Sequence, residues 1–302
     1  MENKILVILG PTASGKSDLA VKLAKKFKGE IISADSRQVY KELDIGTGKI
    51  TKKEMLGIPH HLLNISSPKK SFSVAQWKEK ALEKIKNIIS RGKLPIICGG
   101  TGFYIQSIVD NVTFPEVLPN SALRKELKKK GVEELFKILQ KIDSQRAETI
   151  EREQGSQNPV RLIRAIEIAK ALGKVPPLDF TRGENSYEFL QIGLKLSDTE
   201  LKERINKRFL SWMKKGLVKE ALNLKNSVGL KRVNEIGLEY KYLALFLENK
   251  MTREEMIKKS QTEIWRYAKR QITWFKKKDK RIKWFGPSDI SKVQKEINRF
   301  IG

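Results

Sequence analysis

Short apolar runs recur along the chain, and most are followed by helical periodicity. Ile5 to Leu9 is continuously apolar, and beyond a glycine-rich stretch Leu19, Ala20, Leu23, Ala24 and Phe27 return at the spacing of a helix packed on a sheet. Glu30 to Ser33 reads as a second short strand ending at Asp35, and Leu94 to Cys98 as another ending in Gly99-Gly100-Thr101-Gly102. Ser73 to Arg91 predicts a long helix between them, while Tyr187 to Leu196 and Ile282 to Phe285 supply two further strands. Fully apolar strands alternating with helices predict an α/β fold: a parallel sheet of five or six strands flanked by helices.

The pattern changes between Val112 and about Arg182. β-type runs vanish, Pro115 and Pro119 mark an entry loop, and charged helices follow with apolar stripes at Leu135, Ile138, Leu139 and Ile142, then at Leu162, Ile163, Ile166, Ile168 and Ala169. This predicts a helical insertion at 112–182, closed by Pro176-Pro177, within a core made of 1–111 and 183–302. The C-terminal third is expected to be helical through Asp198 to Lys215, Asn234 to Glu248 and Arg253 to Lys276.

The first strand runs into Gly10-Pro11-Thr12-Ala13-Ser14-Gly15-Lys16-Ser17, which fits GxxxxGK[ST] between a strand and a helix. Such a loop binds a diphosphate: its glycines turn backbone N–H groups toward an anion, and the following helix adds the positive end of its dipole. Lys16 is placed to reach the terminal phosphates and the Ser17 hydroxyl to hold Mg²⁺. In a parallel sheet ligands sit beyond the carboxyl ends of the strands, so Asp35 and Thr101 join the candidate site. The Leu94 to Cys98 run ends in glycines rather than in the acid expected of an NTP-hydrolysing enzyme, leaving Asp35 as a lone carboxylate suited to proton removal from a nucleophile.

Charge narrows the partner. Sixty-one Lys and Arg against 35 Asp and Glu give a net charge of +26 over 302 residues, which points to nucleic acid. Between Ile264 and Lys283 basic residues, Lys269 and Arg270 among them, are interleaved with Trp265, Tyr267, Trp274 and Phe275, a mixture suited to single-stranded RNA, with part of the aromatics assigned to the core. Cys98 is the single cysteine, which excludes an intrachain disulfide and a cysteine-rich zinc site, and it is expected at the end of a buried strand. His60 and His61 are adjacent and read as structural. With no membrane-spanning run and no signal-peptide pattern, a cytoplasmic protein without a membrane partner is expected.

Six ordered motifs carry a family resemblance: the phosphate loop, Asp35-Ser36-Arg37-Gln38-Val39-Tyr40 followed by Asp44-Ile45-Gly46-Thr47, Pro59-His60-His61-Leu62, Gly99 to Tyr104, Arg161 with Arg164-Ala165-Ile166-Glu167, and Lys269 to Trp274. Together, nearly end to end, they resemble the bacterial tRNA dimethylallyltransferases, enzymes on a P-loop NTPase-like fold. The resemblance implies transfer of a dimethylallyl group from dimethylallyl diphosphate, with Mg²⁺, to N6 of the adenosine 3′ of the anticodon (position 37) in tRNAs reading codons that begin with U. It places Gly10 to Ser17 on the diphosphate, with Lys16 and Arg208 on the departing pyrophosphate, and Asp35 on the N6 proton. Thr101 is placed on the target nucleotide. Asp35, Ser36, Arg37 and Gln38, with Val160, Arg161, Leu162, Ile163 and Arg164 of the insertion, are placed on the anticodon stem-loop. A monomer is expected. Gly237-Leu238-Glu239-Tyr240 departs from the family's Gly-Tyr-Lys-Glu, and Gly48 stands where alanine is commoner. A P-loop small-molecule or nucleotide kinase remains the alternative, and a non-catalytic RNA-binding protein with a relict loop is a third reading.

Overall fold

The computed structural model describes residues 3–153, 155–176, 179–180 and 186–302, with the side chains of 179, 180 and 278 left aside. In chain order the elements are β1 (Lys4–Leu9), α1 (Lys16–Lys26), β2 (Gly29–Ala34), β3 (His60–His61), α2 (Val74–Ser90), β4 (Leu94–Gly99) and α3 (Gly102–Val109). Next come β5 (Val112–Thr113), α4 (Ser121–Leu127), α5 (Val132–Ile142), α6 (Ser144–Arg152), α7 (Pro159–Leu172) and β6 (Asp179–Phe180). The chain then continues through β7 (Glu188–Leu194), α8 (Asp198–Lys214), α9 (Leu217–Ile236), α10 (Glu239–Leu247), α11 (Arg253–Lys278), β8 (Lys283–Phe285) and α12 (Ile290–Ile301). It forms two compact units, Met1–Asn111 with Arg182–Gly302, and Val112–Thr181.

The larger unit holds a six-stranded parallel sheet in the order β3-β2-β4-β1-β7-β8. Alternation along β1 explains its two faces: Ile5, Val7 and Leu9 pack with Trp77, Ile105, Phe209, Leu243 and Ile264, whereas Leu6 and Ile8 pack with Leu19, Leu23, Val293 and Ile297. One face is thus covered by α2, α3 and α8 to α11, and the other by α1 and α12. Burying each such Leu or Ile contributes about 1.5–3 kcal/mol, which commits every position of the strand after Lys4 to an apolar residue. Ser73 and Thr252 each close a capping box, with Gln76 and Glu255, that starts α2 and α11.

The register fixes where the site lies. Leu9 and Ala34 both pair with Gly99, so β1, β2 and β4 end side by side, and Gly10, Asp35 and Gly100 leave the sheet along one edge.

The smaller unit is built on the buried stripes Leu135, Leu139, Leu162, Ile163, Ile166 and Ala169, with Ile138 and Ile142 partly buried beside them. Contrary to the expectation of helices alone, β5 and β6 form a two-residue antiparallel ladder. Pro177 and the boundary at 182 lie outside the described residues.

Further elements depart from the sequence reading. Asn234 to Glu248 is not one helix: α9 ends at Ile236, and Gly237 (φ 77°) and Leu238 (φ 51°) turn the chain before α10. Helices α3 and α12, and α9 from Leu217 to Val233, were not expected, and the sixth strand is the edge pair His60–His61. Those histidines are structural here, His61 Nε2 lying 2.8 Å from Glu30 Oε2 and His60 Nδ1 2.8 Å from the Ile58 carbonyl.

Candidate active site

The phosphate loop folds as a shallow nest. Ala13 (φ 65°) and Gly15 (φ 88°) take left-handed backbone conformations, and Gly15 forms the N-cap of α1 without a side-chain cap, so the first turn directs its N–H groups outward. The Ser14 hydroxyl is buried without a hydrogen-bond partner, a polar atom suited to an anion's oxygen. Not every group of the loop is available, since the Thr12 N–H already donates to Gln271 Oε1 at 2.9 Å. Gln271 also donates to the Gly100 carbonyl at 2.7 Å, joining the loop to the end of β4.

Two cations face this nest. Lys16 Nζ donates to the Pro11 carbonyl at 3.2 Å, and burial pulls its pKa below the ordinary lysine value, with Cys98 and Asp35 opposing the fall. Arg208 of α8 donates to the Thr12 hydroxyl and lies 4.7 Å from the centroid of the Trp212 ring. Burial lowers the Arg208 pKa to about 10, so it stays charged at neutral pH. Cys98 is where the sequence placed it, its thiol donating to the Lys16 carbonyl at 3.7 Å and pushed up to about 12 by burial. The hard-cation role expected of Ser17 fits its exposed place in the first turn of α1. Among the described residues no cluster of three or more His, Cys, Asp or Glu side chains could hold a metal.

Opposite the nest, Asp35 Oδ1 accepts from the Arg37 N–H at 2.9 Å and the Gln38 N–H at 3.3 Å, a local turn that fixes the carboxylate while engaging one oxygen. The Thr101 hydroxyl accepts from the Ser36 N–H at 3.0 Å, and the Thr101 N–H donates to the Ala34 carbonyl at 3.1 Å. Tyr267 of α11 stands beside the Thr101 side chain, and burial, reinforced by Asp35, raises its phenol to about 12. Arg37 pairs with Glu239 at 2.5 Å; burial works against its charge, but Glu239 and then Asp35 more than offset this and hold it above its ordinary value. Sequence reasoning named Tyr267 only among aromatics suited to RNA, and Gln271 and Glu239 only within motifs, and gave none of the three a place in this site. Tyr267 and Gln271 stand four residues apart, on a helix whose buried positions include Ile264, Ala268 and Phe275, so a polar pair at helical spacing within an apolar stripe was the available signal.

The expected RNA contacts divide. In the smaller unit Val160 is 75% exposed, whereas Leu162 and Ile163 are buried in that unit's core and cannot offer side chains to RNA. This corrects the expectation, because the α7 stripe that packs the unit claims both residues. Arg161 pairs with Glu153, and Arg164 donates to Glu167 Oε2 at 2.6 Å and the Val117 carbonyl at 2.9 Å. On α11, Lys269 pairs with Asp198 at 2.7 Å and Arg270 with Glu263 at 2.8 Å, while Phe275 belongs to the core. Arg266, Lys276, Lys277 and Lys280 are exposed and carry no ion pair among the described residues.

Comparison with known proteins sharpens this picture. The sequence profile of the family described as IPP transferase matches residues 38–278. A tRNA dimethylallyltransferase of Carboxydothermus hydrogenoformans is 41% identical, the match covering 98% of this chain and 97% of the relative. One from Bacillus cereus strain AH187 is also 41% identical, over 99% of this chain and 94% of its own length. Among solved structures, the full-length tRNA isopentenylpyrophosphate transferase of Bacillus halodurans superposes with a TM-score of 0.72 at 35% identity, covering 99% of this chain and 97% of that one. A eukaryotic dimethylallyltransferase acting on tRNA superposes with a TM-score of 0.81 at 26% identity, over 99% of this chain and 79% of that one.

Proposed function

The chain belongs to the IPP transferase family, and from that premise we propose how its cleft carries out the reaction. It is a prenyltransferase that acts on tRNA, moving a dimethylallyl group onto N6 of the adenosine at position 37, on the 3′ side of the anticodon, in tRNAs reading codons that begin with U. The donor is dimethylallyl diphosphate. The observation that carries this reading is the shared edge of β1, β2 and β4, where Lys16 and Arg208 face a diphosphate nest and Asp35 stands beside them.

The target base leaves its stack to reach a diphosphate seated in the nest. N6 attacks the first carbon of the dimethylallyl group, the carbon–oxygen bond breaks, and its electron pair leaves with the diphosphate. Lys16 and Arg208 meet the charge that grows on those oxygens, and the Ser14 hydroxyl and loop N–H groups share it. Asp35 accepts the N6 proton, its orientation set by the Arg37 and Gln38 N–H groups. Thr101, its hydroxyl bonded to the Ser36 N–H and with Tyr267 beside it, orients the target nucleotide. Mg²⁺, held by Ser17 and the diphosphate, would neutralise the leaving group's charge when bound. One chain supplies all these groups, which supports a monomer. A cytoplasmic setting agrees with the described helices, none of which is long and apolar enough to cross a membrane.

Incubation with dimethylallyl diphosphate, Mg²⁺ and an anticodon stem-loop is expected to yield N6-dimethylallyladenosine by nucleoside mass spectrometry, and Asp35→Asn to slow single-turnover transfer by about 10²-fold or more while both substrates still bind. A rate within about threefold of wild type would remove Asp35 from the proton's path. Thermal stabilisation by ATP and not by dimethylallyl diphosphate would favour the kinase reading instead.

A further inference from the structure

Glu220, in the first turn of α9, is surrounded by donors. Its Oε2 accepts from the Asp44 and Ile45 N–H groups, each at 2.7 Å, and its Oε1 from the Gly46 N–H at 2.9 Å and the Tyr240 hydroxyl at 2.6 Å. Four donors fill a carboxylate's accepting capacity, so the loop at 44–46 is held from both oxygens. Tyr240 is fully buried, and a Cβ at Gly46 would stand 2.6 Å from its hydroxyl, so the loop backbone and the phenol are fitted to each other. Burial, with Glu220 next to it, pushes that phenol well above its ordinary value, which keeps it a donor.

The held loop ends on a residue of the active-site edge. The Thr47 and Gly48 carbonyls accept from Gln38 Nε2 at 3.2 and 3.4 Å, and the Ser33 hydroxyl donates to Gln38 Oε1 at 3.4 Å. Reversing the Gln38 amide would set its oxygen against two carbonyl oxygens, so the loop fixes the amide with its nitrogen toward Thr47 and Gly48 and its oxygen on the Ser33 side. We propose that Glu220 and Tyr240 are positioning residues that, through the loop at 44–48, lock Gln38 with its carbonyl oxygen presented to an amino group on a nucleotide flanking the target adenosine. This deepens the tRNA transfer reading and rests on it. It also gives a task to the segment Gly237-Leu238-Glu239-Tyr240: the positive φ of Leu238 starts α10 so that Glu239 reaches Arg37 and Tyr240 reaches Glu220, securing the stretch from Arg37 to Gly48 at both ends.

The test uses the whole enzyme, dimethylallyl diphosphate and anticodon stem-loops in which the bases flanking the target are replaced in turn by analogues lacking the amino group. Tyr240→Phe keeps the ring and removes only the hydroxyl. It is expected to raise KM for the stem-loop about fivefold and to erase about tenfold of wild-type discrimination against one amino-deleted RNA. KM for dimethylallyl diphosphate and the rate at saturating RNA should stay within about twofold, a split that a general loss of stability would not produce. Glu220→Gln should act in the same direction. Gln38→Leu should abolish the same discrimination, and adding Tyr240→Phe to it should change nothing further. Unaltered discrimination in both Tyr240→Phe and Glu220→Gln, or effects that add to those of Gln38→Leu, would overturn the clamp while leaving the transfer reading intact. Wild-type enzyme that prenylates no stem-loop would overturn the transfer reading and the clamp with it.

Discussion

Lys16 shows why a binding cation is held back before its substrate arrives. Its ammonium donates to the Pro11 carbonyl at 3.2 Å, within its own loop, and partial burial lowers its pKa. A diphosphate entering the nest would exchange one weak internal contact for charge-assisted ones, and their strength grows as the allylic bond breaks. Lys16→Ala is therefore expected to weaken dimethylallyl diphosphate binding and to cut the transfer rate together, the latter by about 10²–10³-fold. Stem-loop retention on filters should barely change. An equal loss of RNA binding would show that Lys16 acts through the fold or on the RNA.

At the scale of elements, Glu30 ties four pieces together. It lies on β2 with its side chain 1% exposed, and it accepts from Arg91 just after α2, from Lys93 just before β4, and pairs with His61 of β3. The Arg91 hydrogen bond, then those from Lys93 and His61, outweigh burial and hold the carboxyl far below the usual range. A carboxylate depressed in the folded state contributes stability that is fully present above its unfolded value, about 4.3, and is lost as pH falls toward the folded one. Wild-type unfolding free energy should thus decline steeply below about pH 4.3. Glu30→Gln should be less stable at pH 7 by on the order of 3 kcal/mol, with a flatter acid limb in urea titrations. Parallel acid limbs would mean that the cluster adds nothing.

None of that cluster was legible in the chain order, although β2 and β4 were: strands buried on both faces are built around apolar residues, Ile31 and Ile32 in β2 and Leu94 to Cys98 in β4, and such runs announce themselves even where a buried Glu30 or Ser33 flanks them. The phosphate loop was legible for a similar reason, since its glycines and lysine are fixed by backbone geometry at fixed spacing. The break between α9 and α10 was not, because Leu238 adopts φ 51° with no sequence mark of its own. Helix α3 follows directly from the glycines that close β4, which read as loop. The inward places of Tyr267 and Gln271 were not legible, because a helix in sequence shows its cations and aromatics before it shows which polar residues face the site.

For the whole molecule the net charge of +26 asks where the cations are free to act. The stretch from Ile264 to Lys283 carries one acid in sequence, but folding brings others: Asp198 to Lys269, Asp110 to Arg281 and Glu296 to Lys283. Lys269 and Arg270, which the sequence put forward as the RNA grip, are thereby half neutralised, and Arg266, Lys276, Lys277 and Lys280 become the better candidates. If the basic surface engages about five phosphates of the anticodon arm, each released counterion adds about −0.7 to −0.9 to the slope of log affinity against log salt, and binding should weaken roughly 10² to 10³-fold between about 50 and 200 mM salt. Reversing Lys276, Lys277 and Lys280 to Glu should flatten that slope by about two to three, whereas Lys269→Glu, which also frees Asp198, should flatten it by about one. A slope near zero in wild type would mean that these lysines only solvate a helix. A slope unchanged in the triple variant, with circular dichroism showing it folded, would move the RNA grip off α11 and onto other cations of the chain, Arg161 among them.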